Sequence, residues 1–275
     1  MGSKITGPEG AMILANLVRV QYRNRNTTYT PVAFFDRLEH GGQDPAICGA
    51  ACGDSFCTSL YESAGMRPDP NIVFTGDNPG NALITRIYDT RIDKLVKTGT
   101  SSTAYFVKHI AAHGKRPKYF LFAEGHTLCG AMDVVLANGY HEEEAGLYEH
   151  IAFLHEKLKT TIKKLDEKEI TDKVMRNALL AQKNVDVQVE MGMDLYKKLH
   201  PGLIESGKLN IIGMMRDITG DIYAPETPMV GDVFITNING ITDVDKIKEY
   251  LSNFVFEDIK VSKEAVEHNV RRLKF

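Results

Sequence analysis

The hydrophobic positions of this chain fall into short apolar runs separated by longer amphipathic stretches. The runs that predict buried strands are Ala46–Ala51, Ile72–Phe74, Tyr119–Ala123 and Leu209–Met215. Helical spacing dominates between them, with a helix expected around Thr103–His109 and mostly helical structure over Glu142–Leu199. Short strands that alternate with helices predict an α/β fold with a largely parallel central sheet and flanking helices.

The two ends of the chain differ from this central pattern. Ala11–Tyr22 has apolar residues at helical spacing, whereas Val233–Ile235 reads as a strand and Val244–Phe254 as an amphipathic helix. We therefore predict three parts: an N-terminal helical arm over residues 1–40, an α/β core over 41–230, and a C-terminal extension over 231–275 packed on the core.

Composition and charge narrow the classes of partner. The 275 residues are 43% hydrophobic and 25% charged, as in an ordinary soluble domain. The formal net charge of -3 gives no basic excess, so nucleic acid is not an expected partner. No run approaches the roughly 18 apolar residues of a membrane span, and Met1–Gly10 lacks the charged-then-apolar order of a secretory signal. We expect a cytoplasmic protein that does not bind membranes.

Candidate metal ligands follow two of the predicted strands. Cys52 comes directly after the first strand, and His126 and Cys129 come shortly after the third. Because sites in parallel sheets form at the carboxyl ends of the strands, these side chains are expected to meet there. Zinc binds thiolate sulfur and imidazole nitrogen, and three protein ligands leave a position for water. Taken alone, the spacing is a weak signal, and buried apolar cysteines are the alternative.

Two other kinds of site find little support. Ser55 has no histidine placed by spacing to act as its base, which argues against a Ser/His/Asp hydrolase. The glycine-containing loop Gly76–Gly80 lacks the lysine of a phosphate-binding P-loop.

Five segments of the chain resemble the β-class carbonic anhydrases. That family carries Cys-x-Asp-Ser-Arg after its first strand and Gly-His-x-x-Cys-Gly after its third. The corresponding segments, in order, are Gly42–Pro45, Cys52–Phe56, Asp77–Asn81, Gly125–Gly130 and Gly213–Gly220. They span about two thirds of the 275 residues, and the order and number of the matches are specific for the fold.

The resemblance implies a zinc lyase that reversibly hydrates CO2 to bicarbonate, with one Zn²⁺ per chain held by Cys52, His126 and Cys129. It further implies that Asp54 accepts a hydrogen bond from the water at the metal and that Gln43 hydrogen-bonds the substrate. Backbone N–H groups around Gly130 would hold a developing oxyanion. The family resemblance also implies a homodimer or a dimer-based oligomer.

The main departure from the family is Phe56, which stands where the family has an arginine paired with Asp54. Without it, Asp54 is a candidate fourth zinc ligand, a partner for another cation, or a carboxyl that takes up a proton. The candidate cations are Arg86, Arg91 and Arg216. Asp77 likewise replaces a family arginine. Two alternatives to CO2 hydration follow: a catalytically silent zinc protein closed by Asp54, or a hydrolase of a related molecule such as COS or CS2.

Overall fold

A computed structural model describes most of the second half of the chain and the strands of the first half. The described residues are 47–51, 73–77, 84–89, 94–99, 101–139, 145–253, 255–256, 259–260 and 262–274. The predicted arm over residues 1–40 and the site candidates Gln43, Cys52, Asp54 and Phe56 lie outside them. The division into arm, core and extension stays a prediction.

A five-stranded sheet organises the described residues. Its order is β2-β1-β5-β6-β7, and the first four strands run parallel whereas β7 is antiparallel to β6. These strands are β1 (Ile47–Ala51), β2 (Val73–Asp77), β5 (Tyr119–His126), β6 (Leu209–Asp217) and β7 (Asp232–Ile238). Two small antiparallel pairs accompany the sheet, β3 (Ile84–Asp89) with β4 (Lys94–Gly99) and β8 (Val255–Phe256) with β9 (Ile259–Lys260).

Seven helices occur in the part of the chain that the structure describes. They are α1 (Ser101–His113), α2 (Gly130–Ala137), α3 (Ala145–Glu167), α4 (Lys173–Leu199), α5 (Pro201–Glu205), α6 (Val244–Ser252) and α7 (Lys263–Asn269). The long helix α4 packs against β5 and β6, and it also contacts α2 and α3. None of the described helices has both the length and the apolar composition needed to cross a bilayer.

The predicted fold class is confirmed, and so is each of the four predicted strands, as a member of one sheet. The bounds differ in two places that matter. The third strand runs three residues further than predicted, to His126, so this residue ends the strand instead of following it. The helical region is split by residues 168–172, where Asp172 accepts a hydrogen bond from Met175 N and caps α4.

Two glycines set how closely α4 approaches the sheet. A Cβ on Gly213 would lie 2.5 Å from Val185 Cγ1, and one on Gly125 would lie 2.8 Å from Val185 Cγ2. Since real Cβ atoms do not come this close, both positions exclude larger residues unless α4 shifts. Val185 therefore nests between β5 and β6, and it fixes the position of α4 along the two strands.

The end of the chain is bound to α4. Arg272 donates to both carboxylate oxygens of Asp186, with Nη1–Oδ1 and Nη2–Oδ2 distances of 2.8 and 2.6 Å. Gln182 donates to Leu273 O (3.1 Å) and accepts from Leu273 N (2.8 Å). Charge-assisted, bidentate bonds of this kind are among the stronger polar interactions in proteins. The segment after α7 is thus held against the same helix that packs on β5 and β6.

A buried carboxyl at the start of β7 makes stability depend on pH. Asp232 lies 2.9 Å from His268 Nε2, and burial raises the pKa of its carboxyl above the ordinary value, with the His268 hydrogen bond acting the other way. The folded chain therefore binds this proton more tightly than the unfolded chain, whose aspartates titrate near pH 4. As the pH rises from about 4 through the raised pKa, ionisation of Asp232 lowers the free energy of unfolding.

We expect Asp232→Asn to gain stability over the wild type as the pH rises from about 4 to 7, because the variant never ionises there. Urea unfolding at several pH values measures the difference. Asp221→Asn, at an exposed position, is the control and should shift the curve little. A difference between Asp232→Asn and wild type that is the same at pH 4 and pH 7 would contradict the assignment.

Candidate metal centre

The two described ligand candidates lie at the carboxyl edge of β5. His126 is the last residue of the strand and pairs in register with Arg216 of β6. Cys129 follows three residues later and occupies the N-cap position of α2. On the other side of β5, strand β1 ends at Ala51 beside Glu124. Cys52, the residue after β1 in sequence, lies outside the described residues, so its place as third ligand stays a prediction.

The ring of His126 is oriented by its own turn. Its Nδ1 lies 2.9 Å from Thr127 O, and the residue is fully buried. A carbonyl oxygen can only accept, so Nδ1 carries the proton, and in the neutral imidazole Nε2 then has the lone pair. A carbonyl partner on one ring nitrogen that fixes the other as the ligand is the usual arrangement at metal-binding histidines.

The turn between these two candidate ligands contains a strained residue. Leu128 has φ +58°, in the left-handed region, and its side chain is 47% exposed. This conformation costs a non-glycine residue roughly 1 kcal/mol or more. This turn connects His126, the last residue of β5, to Cys129, the N-cap residue of α2.

Cys129 and Cys48 are both buried free cysteines of the same apolar core. Cys129 is 2% exposed, and although it occupies the N-cap position, its side chain makes no capping bond to α2. Cys48 is fully buried in the apolar core, where desolvation raises the pKa of its thiol to about 12. Because metals bind the thiolate form, the raised pKa makes Cys48 a poor candidate ligand, and Cys129 stays the predicted one.

A buried side chain on α4 contacts Cys129, and this contact was not predicted from the sequence. Asn177 is 1% exposed. Its Oδ1 accepts from Cys129 N, and its Nδ2 donates to Cys129 O, both at 2.9 Å. The 48 residues between the two positions left no local pattern to reveal this contact.

A second network ties the site turn to the loop after β6. Thr127 Oγ1 accepts from Ile218 N at 2.9 Å and donates to Asp217 Oδ1 at 3.3 Å. The Asp217 carboxylate is buried and also accepts four backbone N–H groups, those of Thr219, Gly220, Ile222 and Tyr223. Asp217 therefore shapes the Asp-Ile-Thr-Gly segment that resembles the family. Its contact with Thr127 also holds that residue, which lies beside His126.

An ion pair lies on the strands next to His126. Arg216 Nε donates to Glu124 Oε1 at 2.8 Å, and the two side chains are only 5% and 2% exposed. Arg216 was one of three predicted cations for Asp54. Its Nε is engaged by Glu124, whereas Asp54 lies outside the described residues, so the partner of Asp54 stays a prediction. Sequence analysis did not identify Glu124 as part of the site.

The described residues fit a zinc site as far as they reach. They include no group of three or more His, Cys, Asp or Glu side chains that could hold a metal ion. They do supply one imidazole with a fixed tautomer and one buried cysteine at the same strand edge. These are donors that zinc prefers. Gly130 begins α2 and is exposed, and its oxyanion role stays a prediction.

Comparisons with known proteins identify the family. The family model described as carbonic anhydrase matches residues 67–222, more than half of the chain. The match includes His126 and Cys129 and begins after the Cys52–Phe56 segment. No curated protein sequence matches the chain significantly.

Solved structures that match the chain include β-carbonic anhydrases. The Coccomyxa enzyme in complex with acetazolamide has a TM-score of 0.51 and 18% identity, covering 86% of this chain and 90% of the enzyme. A tetrameric enzyme from Sordaria macrospora is 24% identical over 75% of this chain and 90% of its own, with a TM-score of 0.49. The family-model match and the shared fold agree with the segments noted in the sequence: this chain belongs to the β-carbonic anhydrase family.

Proposed function

We propose that this protein is a zinc-dependent lyase that interconverts CO2 and bicarbonate, with zinc held by Cys52, His126 and Cys129. The observation that carries the proposal is the placement of His126 and Cys129 at the carboxyl edge of β5, in a chain that belongs to this family. There Nδ1 of His126 lies 2.9 Å from Thr127 O, which orients the ring with Nε2 as the ligand nitrogen, and Cys129 follows three residues later at the N-cap position of α2.

The chain's own residues divide the work. Bound zinc supplies Lewis-acid activation of water. The chain orients the ligands through Thr127 O and Asn177, and burial of His126 and Cys129 keeps bulk water from competing for them. Gln43 would hydrogen-bond the substrate, and Asp54 would accept a proton or a hydrogen bond from the water.

A second candidate function rests on Phe56, which removes the arginine that the family pairs with Asp54. In that case Asp54 closes the zinc site as a fourth ligand, and the protein is a catalytically silent binding or assembly module. No separate observation supports the alternative of COS or CS2 hydrolysis. The Sordaria enzymes are described as tetrameric, which supports our prediction of a homodimer or dimer-based oligomer. The cytoplasmic location stays a prediction.

The test is stopped-flow CO2 hydration with protein that carries a full zinc complement. We expect a rate well above the uncatalysed reaction and inhibition by acetazolamide, the compound bound in the Coccomyxa structure. Phe56→Arg, which restores the family motif, serves as the comparison variant. A wild type that shows only the uncatalysed rate while Phe56→Arg is active would overturn the lyase proposal in favour of the silent protein.

A further inference from the structure

We propose that Asn177 is a positioning residue for the metal centre, because its amide fixes the main chain of Cys129 and so the direction in which the thiolate sulfur points. The proposal rests on the proposed role of Cys129 as a zinc ligand. It adds a residue from α4, 48 positions further along the chain, to a site otherwise built at the ends of strands.

The contact is two-sided. Asn177 Oδ1 accepts from Cys129 N, and Asn177 Nδ2 donates to Cys129 O, both at 2.9 Å. The Cys129 carbonyl also accepts the first turn of α2, from Met132 N at 3.0 Å and Asp133 N at 3.1 Å. With both backbone groups of Cys129 held, rotation about χ1 is the main remaining freedom of its sulfur. Metal affinity depends on ligands that are held in place before the metal arrives.

The orientation of the amide is fixed from outside the pair. Asn177 Nδ2 also donates to Asp133 Oδ1 at 2.7 Å. A carboxylate only accepts, so the NH2 group must face Asp133 and the carbonyl oxygen must face Cys129 N. A flipped amide would place its oxygen against two acceptors, Cys129 O and Asp133. Asp133 therefore selects the orientation that matches the Cys129 peptide.

The position of α4 against the sheet places Asn177 beside Cys129. Val185 lies between Gly125 and Gly213, which fixes α4 along β5 and β6. Asn177 precedes Val185 by eight residues, or about 12 Å along the helix, toward the N-terminus of α4. At 1% exposure the amide has no access to solvent, and a buried amide is tolerated when its hydrogen bonds are made, as here.

A control with the same local chemistry exists on the same helix. Gln182 is buried and forms the same two-sided contact with another main chain, that of Leu273, at 3.1 and 2.8 Å. Loss of Asn177 removes the acceptor of Cys129 N, whereas Cys129 O keeps its two bonds from α2. Loss of Gln182 removes both of its bonds to the Leu273 main chain, and either loss costs folding stability. Only the loss of Asn177 touches a predicted ligand, so the two variants separate a structural role from a positioning role.

The experiment compares Asn177→Ala with Gln182→Ala by zinc affinity, from chelator competition, and by the absorption spectrum of the Co²⁺-substituted protein. Asn177→Ala should weaken zinc binding about 10- to 100-fold and alter the thiolate-to-cobalt charge-transfer band. Gln182→Ala should lower the unfolding temperature while leaving affinity and spectrum as in the wild type. Equal effects of the two variants, or an unchanged affinity in Asn177→Ala, would overturn the proposal.

A second pair of variants keeps the test decisive if Asn177→Ala folds poorly. Asp133 is exposed, so its replacement should be tolerated. Asp133→Asn keeps an acceptor for Asn177 and should preserve affinity, whereas Asp133→Ala should weaken it; equal affinities would count against the proposal. The readout needs no CO2 hydration. A silent protein that binds zinc tightly and shows this pattern would refute the lyase function alone, and a wild type that binds no metal would overturn both.

Discussion

Arg216→Met is expected to lower the free energy of unfolding by about 3–5 kcal/mol, the cost of breaking one side of a buried ion pair. Glu124 and Arg216 are 2% and 5% exposed, and their 2.8 Å contact joins β5 to β6 directly beside His126. The methionine would leave the Glu124 carboxylate buried without its guanidinium. Desolvation of that charge, more than the lost hydrogen bond, accounts for the size of the effect.

The double replacement Glu124→Leu with Arg216→Met should restore most of the lost stability. Buried ion pairs exchanged for apolar side chains of similar volume are often neutral or stabilising. Urea unfolding of the wild type, both single variants and the double variant gives the coupling energy between the two side chains. A double variant no more stable than the single ones would show that the pair is not an isolated unit.

The matched control is Arg271→Met. Arg271 forms an ion pair with Glu226, but the side chains are 27% and 54% exposed. Exposed pairs contribute only about 0–1 kcal/mol because solvent screens them. If Arg216→Met costs no more than Arg271→Met, the burial argument for the Glu124–Arg216 pair is wrong.

Removal of a ligand should have the largest effect on activity. His126→Ala and Cys129→Ala are each expected to abolish stoichiometric zinc binding and to reduce CO2 hydration to the uncatalysed rate, since two remaining protein ligands do not make a stable zinc site. Metal analysis of purified protein and the stopped-flow assay give the two readouts.

Cys48→Ala is the control for loss of a cysteine. Cys48 lies in the apolar core, and burial raises the pKa of its thiol to about 12. The variant should keep its zinc and its activity, although the core loses some packing. Full zinc content in Cys129→Ala, or loss of zinc in Cys48→Ala, would show that the ligand assignment is wrong.

The sheet was predictable from the sequence because its strands are nearly continuous apolar runs, the pattern of strands buried on both faces. The same reasoning placed His126 and Cys129 at one strand edge. The antiparallel pair β3–β4 was not predicted from the sequence because Ile84–Asp89 and Lys94–Gly99 mix charged with apolar residues. The connecting Thr90–Asp93 has no glycine or proline, and Asp93 alone is a weak turn signal.

The polar contacts around the site were beyond sequence reasoning for a different reason. Asn177 and Cys129 are 48 residues apart, and Arg216 and Glu124 are 92 apart. Each pair meets only because α4 and β6 pack beside β5, and no local pattern encodes that register. The sequence showed that Gly213–Gly220 resembles a family segment. That its Asp217 is a buried carboxylate accepting four backbone N–H groups could be seen only in the fold.

The central claim is that zinc is bound by Cys52, which follows β1, and by His126 and Cys129 at the end of β5. Zinc K-edge X-ray absorption on the purified protein tests it most directly. The account predicts one zinc per chain with two sulfur ligands at about 2.3 Å and an imidazole nitrogen at about 2.0–2.1 Å. A protein that retains no zinc, or a coordination shell without sulfur, would contradict it.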